Sequence, residues 1–122
     1  MNSRSSFGTM SIGQLLQLFE RYSLAESEAL RKLDTKTHNT YFKKLLPIEA
    51  ELKARKKKGE LAAFYHHIDP HVRYNAAVET LSVFPDIARA VLQQISDRDE
   101  WPSAPYARGI LRGLREGTFV PG

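Results

Sequence analysis

Apolar residues recur along this chain at intervals of three and four and never alternate with polar ones over a strand's length, so the pattern predicts helices and no strand. Leu15, Leu18, Phe19, Tyr22, Ala25, Ala29 and Leu33 trace a long first helix. Ser11 and Gln14 open it at the spacing of a capping box, in which each side chain bonds the other residue's backbone N–H. The polar run Asp34-Thr35-Lys36-Thr37 should end it near Leu33. A second helix is expected from about Thr37 to Lys57, with Tyr41, Leu45, Ile48 and Leu52 in one stripe. Pro47 lacks an N–H and crowds the preceding turn, so a kink or break is expected there. Gly59 is the expected stop, and Leu61, Phe64 and Tyr65 mark a short helix from about Glu60 to His67.

The segment Asp69-Pro70-His71-Val72-Arg73-Tyr74-Asn75-Ala76-Ala77 carries the most information. Asp69 can accept from the open N–H groups of a first helical turn. Pro70 fits the first helical position, where a missing N–H costs nothing. Arg73 stands four residues after Asp69, within reach of its carboxylate. Val72, Ala76 and Val83 share one side, and Arg73, Ala77 and Phe84 widen it into an arc suited to a helix held between neighbours. Pro85 opens a further helix with Ile87, Ala88, Val91, Leu92 and Ile95 apolar, ending near Ser96-Asp97. Trp101-Pro102-Ser103 then forms a connection with Ser103 as cap. The last helix presents Ala107, Ile110, Leu111 and Leu114 before Gly117.

Residues 69 to 97 have the helix–turn–helix length of a solenoid repeat and resemble a HEAT-type hairpin. From about Leu15 to Phe119 the chain resembles a small bacterial family known as domain of unknown function 2019. The segments that carry the likeness are NTYFKKLLPIEAELKARKKKGELAAF, DPHVRYNAAVETL and the terminal LREGTF. The resemblance implies an all-α, short HEAT-like right-handed stack of about six helices, in two to three antiparallel pairs. It brings no catalytic residues. Some relatives look like members of bacterial toxin–immunity systems, which implies an inhibitor-type binder.

Composition narrows the class. A chain of 122 residues suits one domain, expected over residues 11–119 behind a polar tail at 1–10, within which Met10 offers an alternative start. There is no cysteine, hence no disulfide, thiol nucleophile or thiolate metal site. No apolar run approaches the roughly 20 residues that span a bilayer, and residues 1–10 lack a signal-peptide core, so a cytoplasmic protein is expected. The net charge is +4. Lys53, Arg55, Lys56, Lys57 and Lys58 crowd the end of the second helix, where cations oppose the negative end of the dipole. Arg108, Arg112 and Arg115 make a second basic stripe. Either stripe reads as a solvated face, or as a patch attracting nucleic acid or an acidic protein.

His66, His67, Asp69 and His71 are dense enough to consider a metal site, but the Asp69-Pro70 cap breaks the helical spacing between them, and a polar turn is the simpler reading. Gly109 and Gly113, four apart, permit close packing. No spacing diagnostic of a catalytic triad, carboxylate pair or phosphate loop is found. Trp101, Asp97 and Asp99 have the residue types of a HEAT-like DNA glycosylase without its motif. The expectation is therefore a non-catalytic protein-interaction module with no metal or cofactor, inhibitor- or immunity-like, with a homodimer allowed by the exposed ends of a short stack. The alternative is a nucleic-acid binder using residues 53–58 and 108–115. Asn39, Tyr74, Arg108 and Arg112 are the expected partner-facing residues, since periodicity does not require them for the core.

Overall fold

The computed structural model describes residues 7–122, and a Ser–Gln capping box opens its helix that begins at Ile12. Ser11 Oγ accepts from the Gln14 N–H at 3.0 Å, and Gln14 Oε1 accepts from the Ser11 N–H at 2.8 Å. This helix, α1, spans Ile12–Arg31, and α2 spans Thr35–Ala54. A 3-10 helix covers Lys58–Phe64, followed by α3 (Pro70–Thr80), α4 (Pro85–Asp97) and α5 (Ala104–Glu116). No strand occurs among the described residues. They form two compact units, the first ending at Glu60 and the second beginning at Leu61. Residues 1–6 of the expected N-terminal tail lie outside the described residues.

In the first unit α1 and α2 pack as an antiparallel hairpin. Tyr22 faces Tyr41 with ring centroids 5.8 Å apart, and Glu26 lies 3.5 Å from His38, so position rises on one helix as it falls on the other. Leu15, Phe19 and Ala29 of α1 and Leu45, Ile48 and Leu52 of α2 are buried. Asp34 caps α2 by accepting from the Thr37 N–H at 3.1 Å, which starts the helix slightly earlier than expected. Its carboxyl is held below the ordinary range by hydrogen bonds from the Thr37 side chain and, next, the Thr37 N–H. Leu33, expected on α1, lies past its end and is 80% exposed. Two further expectations need correction. Of the kink or break expected at Pro47, the break does not occur, and α2 runs through it as one helix. The Lys43 carbonyl, which Pro47 cannot serve, belongs to an exposed residue, where water can take the place of the missing donor. Gly59 does not end α2 either. Arg55 is the cap, and Lys56 takes the left-handed position with φ 58°.

In the second unit α3 packs on α4, and α4 on α5. Their core is Ala77, Leu81, Ala88, Leu92, Ile95, Ala104 and Ala107. Asp69 caps α3, its Oδ1 accepting from the His71 and Val72 N–H groups at 2.8 and 3.1 Å. The helix stops at Thr80, so Val83 and Phe84, expected on its apolar side, sit in the exposed link to α4. Ile87 is also exposed. The Thr80 hydroxyl hydrogen-bonds both the Ala76 carbonyl and the Tyr65 hydroxyl. The expected helix at Glu60–His67 is the 3-10 turn, which ends at Phe64. The Trp101–Pro102 bond in the α4–α5 link is cis. Of the two glycines on α5, only Gly113 meets a close neighbour. A Cβ there would lie 2.7 Å from Phe119 Cβ, whereas one at Gly109 would meet nothing within 4 Å.

Candidate interaction surface

The polar residues around the start of α3 are committed to one another. Arg73, expected to reach Asp69, instead extends to the α4–α5 link. Its Nη1 and Nη2 donate to Glu100 Oε1 and Oε2 at 2.8 and 2.6 Å, and its Nε donates to the His67 carbonyl at 2.7 Å. A guanidinium fork opposite a carboxylate makes two parallel charge-assisted bonds. It therefore holds the Glu100 carboxyl below its usual range and raises Arg73. The histidines do not converge: His67 Nδ1 accepts from the Asp69 N–H at 3.0 Å, while buried His71 places Nδ1 3.1 Å from Ser103 Oγ. That contact explains why Ser103 stands at the N-cap of α5 without a side-chain capping bond. Tyr74 stacks on His71 at 5.2 Å and lies 6.1 Å from Tyr106. This half-buried ring is part of an aromatic cluster.

On the outer side of α4 and α5 the arrangement is open. Asp86, Arg89, Ala90 and Gln93 follow one another at i, i+3, i+4 and i+7 along α4, opposite the buried Ala88, Leu92 and Ile95. Together with Leu111, Leu114 and Arg115 of α5 they line a groove of about 410 Å³. It continues into a recess of about 230 Å³ bounded by Gln93, Ser96, Arg108, Leu111, Arg112 and Arg115. Arg108 is anchored at one end, donating to the Ser96 carbonyl and to Asp99 Oδ1, both at 2.8 Å. Arg89, Arg112 and Arg115 have no hydrogen-bond or ion-pair partner among the described residues. Asp86 is the single acid in the lining. Chemically, the groove offers guanidinium groups on both walls above a floor of Ala90, Leu111 and Leu114.

Of the four residues expected to face a partner, Arg108 and Arg112 come together here. Tyr74 is engaged by His71 and Tyr106, and Asn39 is exposed on α2 in the first unit. The basic run at the end of α2 is less uniform than its sequence. Lys53, Lys56 and Lys57 are exposed, but Arg55 donates to Glu51 Oε2 at 2.8 Å and to the Phe7 and Gly8 carbonyls, and Lys58 is only 9% exposed. Sequence reasoning missed Arg89 and Gln93. Their signal was present in the polar row opposite Ala88, Leu92 and Ile95. Leu111 and Leu114, named only as apolar positions of the last helix, are half-buried and serve core and groove at once.

No helix among the described residues is long and apolar enough to cross a membrane. The family described as "Domain of unknown function (DUF2019)" matches residues 13–115. Among solved structures, the crystal structure of the protein RPA1889 from Rhodopseudomonas palustris CGA009 is 31% identical to this chain. Its TM-score is 0.88, over 93% of this chain and 96% of that one. No curated protein matches.

Proposed function

The chain belongs to the DUF2019 family, and on that premise we propose that it is a non-catalytic protein-interaction module whose docking surface is the α4–α5 groove. One observation carries this reading: Arg89, Arg112 and Arg115, without partners among the described residues, surround an apolar floor. An apolar centre with a polar rim is the usual anatomy of a protein interface, and arginine is enriched there. A hydrolytic reading would need a nucleophile open to substrate. Ser103 and His71, which stand at hydrogen-bonding distance, are 0% and 2% exposed. A HEAT-like character of the helix pairs belongs to the same reading, supported by the α1–α2 and α3–α4 pairing and by the Asp-Pro start of α3. So do a cytoplasmic location in a bacterium and an inhibitor or immunity role.

The test is affinity capture with the tagged full chain from a lysate of the source organism, with and without nuclease. The expected result is one protein recovered equally in both samples, and a toxin in that position supports the inhibitor version. Recovery that collapses on nuclease treatment contradicts the reading and favours nucleic acid on residues 53–58 and 108–115.

A further inference from the structure

We propose that the α4–α5 groove receives an acidic amphipathic helix of a partner protein, an inference that rests on the groove being the docking surface. Both walls present helical rows: Asp86, Arg89, Ala90 and Gln93 on α4, and Arg108, Leu111, Arg112 and Arg115 on α5. Rows of this kind are what a further helix packs against, its ridge lying in the groove between two neighbours. From Asp86 to Ser96 the wall is about 15 Å long at the helical rise per residue, room for roughly three turns. A helix seated there would set apolar side chains on Ala90, Leu111 and Leu114. Carboxylates along its two edges would meet Arg89 on one side and Arg112 and Arg115 on the other, which suits the bidentate geometry of arginine.

Charge and lining separate this occupant from two others. A nucleic-acid strand gains much of its affinity from bases stacked on aromatic rings, and no lining residue is aromatic. Asp86 would also repel a phosphate chain running the length of the groove. A second copy of this chain carries a net charge of +4 and is repelled by a basic groove. The complement that the groove calls for is acidic and partly apolar.

The probe is a fluorescent synthetic helical peptide with glutamates flanking a leucine stripe, titrated with the full chain and followed by anisotropy. Binding by the wild type is expected, weakening as salt is raised. The glutamine-for-glutamate analogue should bind at least about tenfold more weakly, and so should the Arg89→Glu, Arg112→Glu, Arg115→Glu variant. Its circular-dichroism melt should match the wild type. If charge reversal disturbs folding, the corresponding glutamine variant replaces it with the same expectation. No binding by the wild type, or equal binding by the variant, overturns the proposal. So does an oligonucleotide that binds more tightly than the peptide at the same arginines, or a wild-type dimer that the variant loses. Failure of this titration beside successful nuclease-resistant capture removes only the acidic helix. Failure of both removes the docking reading too.

Discussion

Arg73 shows how a cation placed by sequence in an apolar arc is accommodated. Its three nitrogens donate to Glu100 and the His67 carbonyl, so a nearly buried guanidinium is hydrogen-bonded through each of them. The cap at Asp69 was legible because it depends on the next few residues. The partner of Arg73 was not, because Glu100 lies 27 positions away and only the folding of α3 onto α4 brings it near. The pairing has a pH signature. Glu100 titrates below its unfolded value, so its contribution is full above about pH 4.5 and is lost as pH falls through the lowered folded value. Glu100→Gln should cost about 2 kcal/mol at neutral pH, the usual loss when charged hydrogen bonds are removed. Urea unfolding of both proteins from pH 7 to pH 3 should show the gap closing at the acid end. A gap that stays constant would contradict the pairing.

Helix existence was legible at the scale of elements, and helix ends were less so. The 3.6-residue rhythm marked α1 to α5, and Ser11, Asp69, Pro85 and Gly117 punctuated them as their chemistry requires. Four helices, however, end on a left-handed residue, and three of those are Leu33, Lys56 and Asp99 rather than glycine. In each case the next N–H reaches back five residues: Asp34 to Ala29, Lys57 to Leu52 and Glu100 to Ile95. This satisfies carbonyls that the helix end leaves open. A search for glycine therefore overshot to Gly59 and left Leu33 on α1. Because a side chain is strained at positive φ, and Leu33 packs little, Leu33→Gly should stabilise the protein by about 0.5–1 kcal/mol. A lower melting temperature would count against that geometry. On α5 the two glycines should part company. Gly113→Ala should lower the melting temperature by displacing Phe119, while Gly109→Ala, with open space around it, should raise stability by up to about 1 kcal/mol through helix propensity.

For the molecule as a whole, the proposed docking surface rests on how α4 and α5 lie beside each other. The basic stripe of α5 could be read from Arg108, Arg112 and Arg115 at helical spacing. Arg89 and Gln93 could not be added to it, because local period does not state which face of α4 stands next to which face of α5. The same gap hid the surroundings of Tyr74: nothing near it in sequence announces Tyr106. Hydrogen–deuterium exchange on the chain, alone and with the protein recovered by nuclease-resistant capture, reads the docking surface directly. Slowed exchange is expected across residues 86–96 and 108–115, with α2 around Asn39 unchanged. Protection confined to α2, or absent from α4 and α5, would contradict the groove as the site where this protein meets its partner.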